Sequence, residues 1–540
     1  MKCSKRDYDI KTKFLIPERI VCSHNCERIE RLLTEQPRQA VLGDSPVTHI
    51  KKGGYIVLDF GVEIQGGADI TVKWATAGTN IRLVFGESVS EAMSNIGENN
   101  ATNNHAIRDT LVQVTNWQHF RTWNTGFRFL KLEAVDDDVH VVGVQAAFEY
   151  RDLEYKGSFK CNDEMLNKIW QVGAYTVHLN MQEYLWDGIK RDRLVWIGDM
   201  HPETSTILSV FGGVDVVKDS LDLIRDNTPS NEWMNGIASY NMWWIRIHYD
   251  WYMATGDLEY LKEQKQYLFE VLEHTIENIN EDGTHNIERK FVEWSSNATE
   301  NENAGMQAML IHGLTYGAKL CEILDNSELS HLCDKAVKNL RKQSYYYEGN
   351  KQIAAMVSLM DMADSDKISD LIKENGASDL STFWGFYTLQ ALAKTGDYEA
   401  ALDLIKDYWG LMLEFGATTF WEDFDVEWTK NAVPIDEIVP KGKADIHADY
   451  GRFCYTQLRH SLCHGWASGP TAFLSNYILG VECLEAGFKT VRINPHLGTL
   501  KWVEGTYPTP YGDIKIKHEN NNGVISSDIV APKEITVIRD

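Results

Sequence analysis

The thirteen residues from Asp187 to Asp199 read D-G-I-K-R-D-R-L-V-W-I-G-D and place three aspartates, a lysine, two arginines and a tryptophan in one short segment. Dense ionisable groups of this kind suit general acid–base chemistry. Neighbouring carboxylates help keep one of them protonated, whereas Arg191 and Arg193 favour the ionised form. The two influences oppose each other, so residue types alone leave the protonation of Asp192 open. A second segment, T-T-F-W-E-D-F-D from Thr418 to Asp425, presents Glu422 behind Trp421 in a non-helical stretch after Gly416. Two carboxylates so far apart in the chain can act together only if the fold brings them together, one as proton donor and one as base. Trp196, inside the first segment, is a further aromatic candidate.

The elements that must hold these groups are of three kinds. Up to about residue 155 the chain reads as short strands, among them Tyr55–Phe60, Ala68–Lys73, Ile81–Phe85, Arg128–Ala134 and Val139–Gln145, punctuated by glycines. Strands in close succession imply an antiparallel β-sandwich. At Gly157 the hydrophobic period changes from two to that of a helix. Asn162 can cap a helix carrying Leu166, Ile169, Trp170, Tyr175 and Leu179, and Pro202 suits the first position of another, with a stripe from Ile207 to Ile224. The segment from Asp187 then reads as a helix–helix loop. Further helices are expected near 238–254, 258–278, 304–324, 327–345, 351–362, 380–395, 397–413, 451–462 and 468–484. Thr255-Gly-Asp257 and Thr395-Gly-Asp397 separate helix pairs in the same way, which suggests repeated helical hairpins. Strands return after Ala486. A parallel sheet within 160–480 has no place in this reading.

The motifs in their order resemble those of the inverting α-L-rhamnosidases with a six-hairpin barrel. The first segment is close to that family's D-x-x-x-R-[D/E]-E-R-x-G-W-x-G-D, and T-T-F-W-E resembles its T-T-x-W-E. G-G-Y-I-V-L-D-F-G, F-G-E-S and T-G-F-R-F-L-K-L resemble its jelly-roll module, and the stretch from Val491 resembles a shortened C-terminal β-module. The resemblance covers nearly the whole chain. It implies a multidomain protein: an N-terminal jelly-roll-like antiparallel β-sandwich at 1–155, an (α/α)6 toroid as catalytic barrel at 156–485, and a small C-terminal β-module at 486–540. It also implies release of terminal α-L-rhamnose with inversion, with Glu422 as base and Asp187, Arg191, Trp196, Asp199, Trp421, the acidic-Trp pair Glu293-Trp294 and His464 in C-H-G-W-A-S-G around the sugar, His447 being a weaker rival to His464. One departure matters. Where relatives have R-D-E-R before L-G-W, this chain has Arg191-Asp192-Arg193-Leu194-Val195-Trp196, one residue shorter. Anchored on the tryptophan, Asp192 takes the acid position; anchored on the first aspartate, the acidic glutamate is absent. Asp192 is taken as the acid. Six-hairpin barrels also host other glycosidases, so a different sugar is one alternative, and the missing glutamate makes a carbohydrate-binding pseudoenzyme another.

Composition narrows the partners. With 53 basic and 78 acidic residues the formal charge is −25, which disfavours nucleic acid and anionic membrane surfaces. A rhamnose-containing carbohydrate is the expected partner; the oligomeric state is not legible. No cofactor motif is present: H-E-x-x-H, a phosphate-binding loop, G-x-G-x-x-G at a helix start and G-x-S-x-G are all missing. No metal is expected, since Cys22-Ser-His24-Asn-Cys26 lacks a second ligand pair nearby. Nine scattered cysteines suggest a reducing compartment. The first residues, Met1–Asp7, precede no apolar run, and no stretch reaches eighteen apolar residues, so neither a signal peptide nor a transmembrane helix is expected and the cytoplasm is the expected location.

Overall fold

A computed structural model describes residues 10–76, 78–453 and 455–539. The leader expectation at Met1–Asp7 and the cysteines Cys3 and Cys454 lie outside the described residues. The chain forms two compact units, neither continuous in sequence. One comprises Met1–Asp152, His178–Leu194 and Met412–His464; the other comprises Leu153–Val177, Val195–Leu411 and Gly465–Asp540.

The first unit is built on β1 (Ile10–Leu15), β2 (Arg19–Glu27), β3 (Thr48–Ala75), β4 (Thr79–Gly86), the short helix α1 (Val89–Met93), β5 (Asp109–Val114), β6 (Gln118–Arg121), β7 (Thr125–Ala134) and β8 (Val139–Arg151). The strand order is β1-β8-β3-β7-β4-β5, with β2 and β6 also paired to β3, and every pairing is antiparallel. β3 is 28 residues long. Its first half pairs with β2 and β7 and its second half mainly with β8 and β6, with a register shift between Asp59 and Ile64. Ile56 and Leu58 from the first half share one buried cluster with Ile70 and Val72 from the second, so the sheet closes over its own core. Each such fully buried aliphatic side chain contributes about 1.5–3 kcal/mol. The unit also holds the two segments that carry the catalytic candidates.

In the second unit the helices are α2 (Glu164–Asn180, whose last turn passes into the first unit), α3 (Ile197–Val210), α4 (Val216–Asn227), α5 (Ala238–Thr255), α6 (Leu258–Glu277), α7 (Glu302–Ile323), α8 (Ser327–Leu340), α9 (Lys351–Leu359), α10 (Ser365–Lys373), α11 (Gly385–Lys394) and α12 (Tyr398–Ile405). α3 packs on α5, α5 on α7, α7 on α9, α9 on α11, α11 on the turn Gly469–Phe473, and that turn back on α3, while α4, α6, α8, α10 and α12 each pack beside their predecessor. The first Thr-Gly-Asp junction works as its residues suggest: Gly256 takes the left-handed conformation (φ 71°) and Asp257 accepts the Tyr260 N–H to start α6. At the second, Asp397 instead accepts from Ser369 and Lys373.

Several expectations are corrected. α3 begins at Ile197, not at Pro202, because Asn235 accepts the Ile197 N–H and donates to the Val195 carbonyl, fixing the start five residues early. Asp199 therefore lies in the first helical turn rather than in a loop. The stripe from Ile207 to Ile224 is two helices, α3 and α4, interrupted around Gly212-Gly213. α10 was not anticipated. The described residues of 451–462 form no α-helix, only a 3-10 turn at Gln457–Arg459, and the helical stretch near 468–484 ends by Ile478, with a strand at Val481–Glu485. Ser158–Cys161 pairs with Trp502–Tyr507 and forms the edge of the C-terminal four-stranded sheet. A two-residue parallel pairing joins Ala432–Val433 to Ala444–Asp445 as a small two-stranded sheet, contrary to the expectation that no parallel sheet lies within 160–480. Among the described residues no helix is long and apolar enough to cross a membrane.

Candidate functional site

The first unit brings the two catalytic candidates onto one arginine. Arg191 is 2% exposed; its Nη2 donates to Glu422 Oε2 and its Nη1 lies 3.8 Å from Asp192 Oδ1. Its remaining contacts fix it in place. Nε donates to the Arg459 carbonyl, and the guanidinium lies 3.5 Å from the centre of the Tyr455 ring. Glu422 is 4% exposed, and its Oε2 also accepts the Ser461 N–H at 3.0 Å. Burial alone would push this carboxyl up, but Arg191, His464, His460 and the Ser461 N–H together bring it down to about 2. Glu422 is therefore ionised at any ordinary pH. Asp192 is more open, with 13% of its side chain exposed, and faces the Tyr455 hydroxyl at 3.3 Å and His105 Nε2 at 3.4 Å.

The loop that carries Asp192 is tied by Asp187. Its Oδ2 accepts the Asp192 N–H at 3.0 Å and its Oδ1 the Leu194 N–H at 2.9 Å, while its own N–H donates to the Leu194 carbonyl. Gly188 bridges to His464, and a Cβ there would meet the Arg191 carbonyl at 2.7 Å and the Cys463 carbonyl at 3.0 Å, so the close approach of these two segments requires glycine. His464 is 3% exposed, donates its N–H to the Phe420 carbonyl, and lends its charge to Glu422 when protonated. Trp421 is 1% exposed and packs edge-on against Phe424, and among the described residues its Nε1–H has no hydrogen-bond partner. Beside Glu422, Asp423 accepts the N–H groups of Arg452 and Phe453 and is pushed up by burial.

The other candidates belong to the second unit. Trp196 immediately precedes α3, half-buried, its ring edge-to-face with Tyr240. Asp199, 2% exposed, occupies the first turn of α3, where the helix dipole favours an anion. Glu293, 2% exposed, caps a 3-10 turn by accepting the Ser295 N–H at 2.6 Å, and Trp294 opens that turn, half-buried, edge-to-face with Phe291.

Tyr455, His105, His460 and Ser461 are the site residues that sequence reasoning missed. Three of them lie in the stretch misread as a helix over 451–462, and a lone histidine in a β-domain loop carries no local signal. His447, the weaker rival, belongs elsewhere: its Nδ1 faces Ser88 Oγ at 2.8 Å and its Nε2 the His460 carbonyl at 3.0 Å. The ligand atoms of Glu87, Glu91 and His447 lie within 4.8 Å of one another, a metal-like spacing. Both His447 nitrogens are engaged, however, and Glu91 is paired with Lys190 and Arg108, so cations of the chain already fill that role.

Comparison with known proteins fits the arrangement into a family. Residues 154–478 match the bacterial alpha-L-rhamnosidase 6 hairpin glycosidase domain, more than half of the chain, and residues 480–538 match the bacterial alpha-L-rhamnosidase C-terminal domain. The chain belongs to the bacterial α-L-rhamnosidase family. A curated α-L-rhamnosidase of Streptomyces avermitilis is 21% identical over 550 residues, covering 94% of this chain and 49% of the relative. The crystal structure of a rhamnosidase from Bacillus sp. GL1 matches with a TM-score of 0.74 at 22% identity, over 94% of this chain and 55% of that one. A rhamnosidase from Klebsiella oxytoca, solved with rhamnose bound, matches with a TM-score of 0.71 at 18% identity, over 87% of this chain and 96% of that one. At such identities these rhamnosidase structures share the fold: an N-terminal β-domain, a helical domain and a C-terminal β-module. The chain spans about half the length of the curated Streptomyces rhamnosidase.

Proposed function

We propose that this protein is a glycoside hydrolase that releases terminal α-L-rhamnose from a glycoside or polysaccharide with inversion of the anomeric carbon. The observation that carries the reading is Arg191, buried and in contact with Asp192 and Glu422 at once, in a chain of the rhamnosidase family. Inversion needs one carboxyl to protonate the leaving oxygen and a second, on the opposite face of the sugar, to take a proton from attacking water. Glu422 is assigned the second role: held ionised by Arg191, it enters the reaction as an acceptor. Asp192, the more exposed of the two, is assigned the first, with Tyr455 and His105 to orient its carboxyl. Asp187 holds the loop that presents Asp192. The Nε1–H of Trp421 and the His464 ring are assigned to sugar hydroxyls. The packing order of α3, α5, α7, α9, α11 and Gly469–Phe473, which returns to its start, supports an (α/α)6 toroid for the helical domain.

Glu422→Gln tests the base. It keeps the shape and removes the charge, so turnover of p-nitrophenyl α-L-rhamnoside should fall at least about a hundredfold while rhamnose affinity stays within about threefold. Turnover at the unaltered rate would remove Glu422 from the mechanism. The aspartate standing where relatives have glutamate favours one second reading, a protein that binds rhamnosides without cleaving them. Saturable rhamnose binding with no hydrolysis by the unaltered chain would establish that reading instead.

A further inference from the structure

Behind the Arg191–Glu422 pair lies a set of buried ions that the mechanism above does not use. Glu87 directly follows β4 and is fully buried. Its Oε2 accepts the Leu462 N–H at 2.6 Å and lies 3.4 Å from Lys190 Nζ, and its Oε1 lies 3.4 Å from Ser461 Oγ. Lys190, 2% exposed, directly precedes Arg191. Its ammonium donates to the carbonyls of Leu458 and His460 at 2.7 and 2.8 Å and pairs with Glu91 at 2.9 Å. Glu91, in α1, also receives Arg108 Nε at 3.0 Å, and Arg108 is fixed in turn by the carbonyls of Gly126 and Phe85.

Two chain segments are joined in this way. One carries Arg191 and Asp192; the other, 458–464, carries the Ser461 N–H that binds Glu422 and the Arg459 carbonyl that binds Arg191. Glu87 grips the second segment through Leu462 and Ser461 and draws on the first through Lys190, and Lys190 grips the second through two carbonyls. Burying ions costs several kcal/mol each, and apolar side chains of similar volume commonly fill such space as stably. Apolar groups could not hold the backbone N–H of Leu462 or the two carbonyls in fixed directions, whereas a carboxylate and an ammonium can. We propose that Glu87 and Lys190 are positioning residues through which the β-domain sets the Arg191–Glu422 pair in its working geometry. This rests on the assignment of Glu422 as base.

The test is Glu87→Gln, which keeps the side-chain shape and an acceptor for the Leu462 N–H but removes the attraction for Lys190. A misplacement of catalytic groups by about 1 Å can cost up to about a hundredfold. For Glu87→Gln, kcat on p-nitrophenyl α-L-rhamnoside should fall about tenfold or more with KM within about twofold. Ile70→Val, in the core of the same domain, serves as the stability control: it should lower the melting temperature and leave kcat unchanged. If Glu87→Gln lowers only the melting temperature, as Ile70→Val does, the positioning role is wrong while the Glu422 assignment stands. If Glu422→Gln in the same assay keeps full turnover, the base assignment fails and the positioning role with it. Should Glu87→Gln not fold, Ser461→Ala cuts the Oγ link to Glu87, together with the Oγ bonds to the Cys463 N–H and carbonyl, and leaves the backbone N–H to Glu422 intact. It should lower kcat about threefold at unchanged KM, and an unchanged kcat would overturn the proposal.

Discussion

At the scale of single residues, the proposed chemistry turns on how one arginine treats two carboxylates. Arg191 is in hydrogen-bonding contact with Glu422 and 3.8 Å from Asp192, so its effect is strongest on the group that must be ionised. Asp192→Asn removes the proposed proton donor. It should slow substrates with poor leaving groups, such as rhamnosyl disaccharides, far more than p-nitrophenyl rhamnoside, whose phenolate departs with little protonation. Equal losses on both would make Asp192 a positioning residue and return the acid role to another carboxyl. Asp192 and Glu422 were legible because they sit in motifs with a family pattern. Asp187 was legible as a candidate, but its bonds to the N–H groups of Asp192 and Leu194 were not, since a side-chain bond to backbone leaves no mark in residue order. Glu87 and Lys190 stand in motifs quoted above, but their proposed role was not legible for a related reason: a buried ion and a surface ion are written with the same letter, and only the fold tells them apart.

At the scale of elements, the site depends on the close passage of Asp187–Leu194 beside Ser461–His464, with Gly188 at the crossing. Gly188→Ala would press a Cβ onto two carbonyl oxygens of the backbone, neither of which can rotate away. We expect a loss of about 1–3 kcal/mol in stability, read from denaturant midpoints, with a fall in kcat of the folded protein. A variant as stable and active as the parent would mean that these segments are not held in register there. Long amphipathic helices were the most legible elements: α5 and α6 fall within a residue of their expected limits, because strong periodicity and the Gly256-Asp257 junction both mark them. The errors cluster where a distant partner decides. Asn235 sets the start of α3, Trp502–Tyr507 makes an edge strand of Ser158–Cys161, and residues 451–462 are held as an irregular segment by Lys190, Glu87 and Asp423 rather than by their own periodicity.

At the scale of the whole molecule, stability should be sensitive to mild acid. His447 and His248 are almost fully buried, and burial holds them down to about 3 and about 4 respectively. In the unfolded chain each takes up its proton near 6.5, but in the folded chain only at its lowered value, so folded stability is lost progressively as pH falls from 6.5. Each contributes about 2–3 kcal/mol of this loss by pH 4.5. Glu87, raised by burial, has the opposite sign, and the lowered Glu422 adds its own loss only between its ordinary value of 4.5 and about 2. The melting temperature should therefore decline steadily from pH 6.5 to 4.5, and a flat profile over that range would show that these histidines are not held neutral. The broad division into β-domain, helical domain and C-terminal β-module was legible from the change of hydrophobic period, whereas the grouping of 178–194 and 412–464 with the β-domain was not, because it is made by contacts distant in sequence. The central claim is inverting release of rhamnose by Asp192 and Glu422, and its most direct test is the proton NMR spectrum of the first sugar formed from p-nitrophenyl α-L-rhamnoside, taken before mutarotation. β-L-rhamnose appearing first is the expected result; α-L-rhamnose appearing first would contradict the inverting assignment.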